Sequence, residues 1–317
     1  FIARYASPQF VGLDFDIEGK QSNSQIDSLV LRALAAQRVR PALLILASGA
    51  CGGATAGKNI IRLATVMEML HTATLVHDDI IDNADLRRNR ASVNARFGNQ
   101  TAVLMGDWLY MSAFETSLQE RSLKILDILT RLTRKMTEGE LIQLTMIGRL
   151  DISEADYFDI LKRKTAFLFS ACAEIGAILA GASLERQHAL RDYGMNLGIA
   201  FQLADDILDL TSEAEDLGKA AGTDLLEGKI TLPLIYLLKN EPSLRPKLED
   251  VMLTGTYNEI SREDIRHLLD SVGIIGHIRE RANEFADAAR KNLDVFPETE
   301  YRVALEGIPK FVIDRNS

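Results

Sequence analysis

Residues 60–82 read IIRLATVMEMLHTATLVHDDIID, and the fold turns on this stretch. Apolar side chains recur in it at three- and four-residue spacing, the period of an amphipathic α-helix. It closes on Asp78, Asp79 and Asp82, in the pattern HDDIID. The pattern returns much further along as ADDILD, with Asp205, Asp206 and Asp209, again ending an apolar periodic stretch, DYGMNLGIAFQLADDILDLTS. On a helix, residues i and i+4 lie one above the other within about 6 Å. Asp78 and Asp82 therefore share a face, as do Asp205 and Asp209. Three acids so close repel one another, and Asp is a mediocre helix former. A sequence that keeps such clusters in apolar helices needs a compensating charge.

Mg²⁺ is the expected compensation. It is a hard cation that takes oxygen ligands and usually shares them with substrate phosphates. One such cluster alone reads equally well as a solvated acidic turn; two copies, each closing an apolar helix, do not. Neither has the alternating acids and central Gly of a calcium loop, and zinc wants Cys or clustered His. Cations follow the acids: Arg87 and Arg88 after the first cluster, Lys219 and Lys229 after the second. Arg38 and Arg40 lie towards the N-terminus, and Arg163 and Lys164 in mid-chain. Metal-holding acids ringed by Arg and Lys are the composition of a diphosphate clamp.

The rest of the chain is helical in period. SLKILDILTRLTRKMTEGELIQLTMI and YFDILKRKTAFLFSACAEIGAILAG carry the same spacing, and no proline falls between Pro41 and Pro233. Alternating β-branched runs are scarce. TAFLFSACAEIGAILAG is apolar almost all round, as for a core helix or one lying on an apolar cavity. The expected fold is all-α: one large bundle of antiparallel helices around a central apolar cavity, a single domain over residues 1–317. Residues 211–229 and 240–263 read as polar connectors, the first a loop beside the site, and the chain ends in a helical pair.

Bulk properties narrow the function. Of 317 residues, 47% are hydrophobic and 26% charged, the balance of a globular protein. The net charge of −9 disfavours a general nucleic-acid binder. No apolar run reaches bilayer-spanning length, and FIARYASPQF lacks the basic start and apolar core of a secretory signal. Cys51 and Cys172 sit in apolar contexts and read as buried thiols of a reducing, cytoplasmic compartment.

Taken in order, these elements resemble the trans-isoprenyl diphosphate synthases over nearly the whole chain. HDDIIDNADLRRN resembles that family's first aspartate-rich motif with its trailing arginine pair, and FQLADDILDL the second. QRVRP, KTAFLF and GKAAGTDLLEGKITLP resemble three further blocks. The resemblance implies an isoprenoid-synthase-type bundle and a Mg²⁺-dependent prenyltransferase acting on an allylic diphosphate and isopentenyl diphosphate. Asp78, Asp79, Asp82, Asp205 and Asp209 would hold Mg²⁺, about three ions per site, with Asp206 in support. Arg87, Lys164, Lys219 and Lys229 would contact the allylic diphosphate. Arg40, His71 and Arg88 would bind isopentenyl diphosphate. Thr165 and Gln202 would flank the reacting carbons; buried polar groups bonded to backbone is an equal reading of that pair. The family also implies a homodimer and a product delivered to a membrane.

Two positions depart from the pattern. Ala36-Gln37 replaces the usual Gly-Lys before Arg-x-Arg-Pro, which removes a cation expected at the isopentenyl site and leaves open a noncatalytic partner subunit. Asn89 replaces the Gly after the arginine pair, a mild change because Asn tolerates left-handed backbone.

Product length follows from helix rise, about 5.4 Å per turn, roughly one isoprene unit. One turn before Asp78 stand Ala73 and Thr74, both small, and deeper lie Leu70, Met67 and Val66, none aromatic. The open floor predicts a long product of about seven to ten units. Met136 and Leu144 are candidates for a lower stop, though ordinary core packing explains them as well. The alternatives are a geranylgeranyl or farnesyl diphosphate synthase and a noncatalytic subunit of a heteromeric synthase.

Overall fold

The computed structural model describes residues 39–87, 90–211 and 222–314. Gln37, Arg88, Asn89, Gly218 and Lys219 lie outside the described residues. The described residues are helical nearly throughout, in the order α1 (Val39–Ala50), α2 (Lys58–Ile81), a hairpin of two short strands, β1 (Leu86–Arg87) and β2 (Arg90–Ala91), α3 (Val93–Phe97), α4 (Asn99–Leu118) and α5 (Leu123–Met146). There follow α6 (Glu154–Leu161), a π-helical turn (Lys162–Ala166), α7 (Phe167–Leu179), α8 (Leu184–Thr211) and α9 (Thr223–Leu226). The C-terminal part holds α10 (Leu232–Asn240), a 3₁₀ turn (Pro242–Leu244), α11 (Arg245–Thr254), α12 (Arg262–Ser271), α13 (Ile274–Lys291) and α14 (Glu300–Ile313).

Caps fix the helix starts. Ser153 and Asp156 form a reciprocal capping box at α6, and Ser261 with Asp264 repeats it at α12. Ser122 caps α5 by accepting from the Ile125 N–H. The region expected as a connector over 240–263 instead contains the 3₁₀ turn and α11; Pro242 and Pro246 sit at the first helical positions, where a missing N–H costs nothing.

The stretch 165–181, read as apolar almost all round, holds α7, which is buried over most of its length and packs between α1 and α8. The principal core joins α1, α2, α7, α8 and α14 through Leu43, Leu63, Leu70, Phe169, Tyr193 and Leu305. A second core gathers α6, α8 and α10 to α13. Helix α8 belongs to both, so the helix bearing the second aspartate cluster is anchored along its length. Close approach between helices depends on missing side chains. A Cβ on Gly198 of α8 would lie 2.6 Å from the Ala166 Cα in the π turn. A Cβ on Gly106 of α4 would lie 2.2 Å from the His77 ring of α2.

The periodicity of YFDILKRKTAFLF predicts one helix, but the structure splits it. The wide turn at Lys162–Ala166 inserts an extra residue per turn between α6 and α7. Three cations, Lys162, Arg163 and Lys164, crowd that turn, and Thr165 follows them. The turn packs against α5, α6, α7 and α8, placing Lys164 and Thr165 between the two aspartate clusters.

Candidate active site

Asp78 and Asp79 end α2, and Asp82 is its C-cap, its N–H still donating to the Asp78 carbonyl at 2.8 Å. The helical register therefore extends through Asp82 and keeps Asp78 and Asp82 on one face. Asp79 points the other way and is buried. Arg87 of β1 donates to its Oδ1 from Nε at 2.8 Å and from Nη2 at 2.5 Å. Burial raises the Asp79 pKa and Arg87 pulls it back. Burial lifts the Asp78 carboxyl to about 6, with Lys164 working against the rise and Glu140 and Asp82 adding to it. An acid this reluctant to ionise favours a nearby cation.

Lys164 pairs with Glu140 of α5 and donates to Gln143 Oε1 at 3.1 Å. Lys229 donates to Asp82 Oδ1 at 2.8 Å and to Glu227 at 2.7 Å. Burial opposes charge on Lys229, but Asp82 and Glu227 more than offset it, so the ammonium stays charged.

The second cluster is held differently. Tyr157 of α6 donates to Asp206 Oδ2 at 2.5 Å, and Gln202 Nε2 donates to Oδ1 at 2.8 Å. Thr165 Oγ1 donates in turn to Gln202 Oε1 at 2.8 Å. Burial drives the Asp206 carboxyl up to about 8, with Asp224 adding to the rise and the Tyr157 and Gln202 bonds partly offsetting it. Asp209 accepts from the Thr223 hydroxyl at 3.3 Å and the Asp224 N–H at 3.4 Å. Asp205 is half-buried one residue before Asp206.

Two paths link the clusters. Asp224, beside Asp209, accepts through its carbonyl from the Lys229 N–H at 2.8 Å, and the Lys229 ammonium reaches Asp82. A second path runs from Asp78 past Lys164 and Thr165 to Gln202 and Asp206. Among the described residues no three acidic, His or Cys side chains already converge as a metal cage. The donor set is all carboxylate oxygen, with oxygen-rich acids whose burial favours a partner cation. That set suits Mg²⁺, which borrows the remaining ligands from phosphate and water.

The Arg40 guanidinium donates to His71 Nε2 at 3.1 Å, which makes the imidazole a neutral acceptor there. The Arg40 head lies 4.9 Å from the Phe169 ring centroid, a stacked position that fixes its plane.

Beneath Asp78 a cavity of about 140 Å³ is lined by Thr74, His77, Ile81, Tyr110, Met136 and Lys164 among others. Of the four chain-length positions Thr74 lines it. Ala73 faces α4 in a small apolar cluster with Ala102 and Leu109. Leu70, Met67 and Val66 are fully buried in the principal core. Met136 lines the cavity, whereas Leu144 is exposed on α5. Tyr157, Glu140, Gln143, Tyr110 and Asp224 contact these residues or line the cavity, and no motif in the sequence marks them. For Tyr157 the signal was present: it precedes Lys164 by two helical turns, inside a stretch read only for its apolar period.

The Polyprenyl synthetase family model matches residues 28–271. Octaprenyl diphosphate synthase of Escherichia coli (strain K12) is 39% identical over 287 residues, covering 88% of this chain and 86% of the relative. A polyprenyl synthase from Caulobacter crescentus CB15, complexed with calcium and isoprenyl diphosphate, superposes with a TM-score of 0.84 at 37% identity, over 94% of this chain and 91% of that one. A decaprenyl diphosphate synthase from Rhodobacter capsulatus gives 0.82 at 31% identity, over 99% and 98%. With the paired aspartate clusters and the all-α bundle already in place, these matches show that the chain belongs to the polyprenyl synthetase family, the trans-isoprenyl diphosphate synthases, and is a prenyltransferase.

Proposed function

We infer that the chain is an all-trans polyprenyl diphosphate synthase that adds isopentenyl diphosphate head to tail, repeatedly, to an allylic diphosphate. The observation that carries this reading is the pair of aspartate clusters linked through Lys229 on one side and Lys164–Thr165–Gln202 on the other. Asp78, Asp79, Asp82, Asp205 and Asp209 would hold Mg²⁺, about three ions as in the family pattern. Held by these acids, Mg²⁺ would supply the positive charge that makes diphosphate a good leaving group. Binding of calcium and isoprenyl diphosphate by the Caulobacter relative fits such a site.

The protein's own groups supply the rest. Lys164, Lys229 and Arg87 present positive charge towards the diphosphate, stabilising the charge that gathers as the allylic C–O bond breaks. Each now rests on an acid, Glu140, Asp82 and Asp79 respectively, so substrate binding exchanges partners rather than creating bare charges. Lys219 is proposed to join them, and Arg88 to join the isopentenyl diphosphate site, from sequence alone. Arg40 and His71 would bind isopentenyl diphosphate. The apolar walls of α2 and α7 exclude water that would quench the carbocation. The attacking double bond forms the new C–C bond, and a proton leaves for the departed diphosphate.

A long product, about seven to ten isoprene units, fits the relatives named for octaprenyl and decaprenyl products. A second copy of the chain would cover the outer face of α4 and α5. Leu104, Met111 and Leu118 form an exposed stripe at seven-residue spacing on α4, beside exposed Leu123, Leu141 and Leu144 on α5. An apolar face of that extent marks an interface. One domain over the whole chain is supported by α14, whose Leu305, Ile308 and Val312 pack into the core of α1 and α2. Among the described residues no helix is long and apolar enough to cross a membrane. Cytoplasmic residence is supported by two free thiols; burial raises the Cys51 thiol to about 11 and the Cys172 thiol further, which keeps both unreactive.

The test is incorporation of labelled isopentenyl diphosphate onto an allylic primer with Mg²⁺, followed by mass spectrometry of the dephosphorylated product. A ladder ending at about seven to ten units is expected. No incorporation, or a product stopping at four units, overturns the reading.

A further inference from the structure

The hydrogen bonds around Asp206 form a chain in which each partner dictates the next. Asp206 is buried, with Tyr157 on one carboxylate oxygen and Gln202 on the other. The Gln202 amide turns its NH₂ to Asp206 Oδ1, the oxygen that Tyr157 leaves open. Its oxygen then faces Thr165, and the Thr165 hydroxyl has to donate to it. Thr165 thus spends its proton inside the protein. What it can offer to the site is a lone pair, not an O–H.

We propose that Tyr157 is a positioning residue for the prenyl transfer, which anchors Asp206 so that Gln202 holds the Thr165 oxygen lone pair towards the reacting carbons. The inference rests on the synthase reading above. Tyr157 suits this role because it cannot drift. It is buried, its ring packs edge-on against Phe158 at 5.3 Å between centroids, and α6 ends at the π turn that carries Thr165. An oxygen lone pair next to a developing allylic cation is attractive; a hydroxyl proton in the same place is repulsive. The direction of one O–H bond therefore decides the sign of that interaction, and Tyr157 sets it from two side chains away.

The test compares wild type, Tyr157→Phe, Thr165→Val and the double variant in steady-state incorporation of labelled isopentenyl diphosphate, with Mg²⁺ titrated in each. Tyr157→Phe should lower kcat about tenfold, the loss of one buried hydrogen bond, with KM and the Mg²⁺ half-saturation within about twofold. In the Thr165→Val background it should cost almost nothing more, because no hydroxyl remains to orient. Multiplicative losses in the double variant overturn the proposal and leave Tyr157 as packing. So does a Tyr157→Phe defect that saturating Mg²⁺ repairs, which would make Asp206 part of the metal shell. Should Tyr157→Phe fold poorly, as read by its melting temperature, Asp206→Asn serves instead. Its amide can turn Gln202 around, and it should match Thr165→Val in kcat without adding to it. A wild-type chain that incorporates no isopentenyl diphosphate sinks the synthase reading itself, whereas an active wild type with additive variants sinks only this inference.

Discussion

The two aspartate clusters share one sequence pattern and live in different chemistry. In the first, Asp79 is held by Arg87 and Asp82 by Lys229, and Lys164 lies close to Asp78. In the second, among the described residues, Asp206 is held by neutral donors, Tyr157 and Gln202, and Asp209 by a hydroxyl and a backbone N–H. The cations on Asp79 and Asp82 can move onto a diphosphate. Asp206 is fixed instead by neutral donors, on a helix anchored in both cores. The first set of contacts exchanges partners, and those of Asp206 keep shape.

The sharpest way to break this comparison is to delete an acid from each. Asp78→Ala and Asp205→Ala should each lower turnover about a thousandfold through lost charge stabilisation, measured by isopentenyl incorporation. Near-normal turnover in either would remove that cluster from the metal site. Lys229→Ala separates exchange from shape. It should weaken allylic diphosphate binding about tenfold, read as a raised KM, with less change at the isopentenyl site. An effect confined to isopentenyl diphosphate would put Lys229 on the wrong substrate.

Product length gives a third test. Thr74→Phe fills the cavity below Asp78 and should shorten the product by at least one unit. Ala73→Phe should act mainly on stability, costing about 1–3 kcal/mol by overpacking against α4. Chromatography and thermal melts distinguish them, and shortening by Ala73→Phe without loss of stability would place the tunnel along that face. A last test is in pH. Asp78 and Asp206 have folded-state pKa values raised to about 6 and about 8. Between the unfolded value near 4 and those values the folded chain binds more protons than the unfolded one. The contribution of these acids to metal-free stability should then fall as pH rises from about 4 to 8. Added Mg²⁺ should flatten the decline, as seen in melting temperatures across that range.

Much of this was legible in the sequence because both clusters sit on long, strongly periodic helices. The i, i+4 spacing of Asp78 and Asp82 is a local fact that tertiary structure merely preserved. Arg40 against His71, and Thr165 against Gln202, came from resemblance, since nothing local says that residues so far apart will touch. Tyr157 was overlooked because an aromatic at helical spacing looks like core, and its hydroxyl partner is 49 positions away. The π turn was overlooked for another reason. Hydrophobic period is blind to one extra residue when both flanking helices are apolar. The chain-length positions show the limit of counting turns: Ala73 and Thr74 are adjacent, yet one faces α4 and the other the cavity.

The wide turn at Lys162–Ala166 makes the residue count there a coded quantity. Each residue of helix advances the azimuth by about 100°. Trimming a single residue to restore regular winding would swing α6, and Tyr157 with it, around the axis relative to α7 and away from Asp206. Homologues free to vary in the Gly148–Ile152 connector should therefore show neither gain nor loss of length between Tyr157 and Phe167.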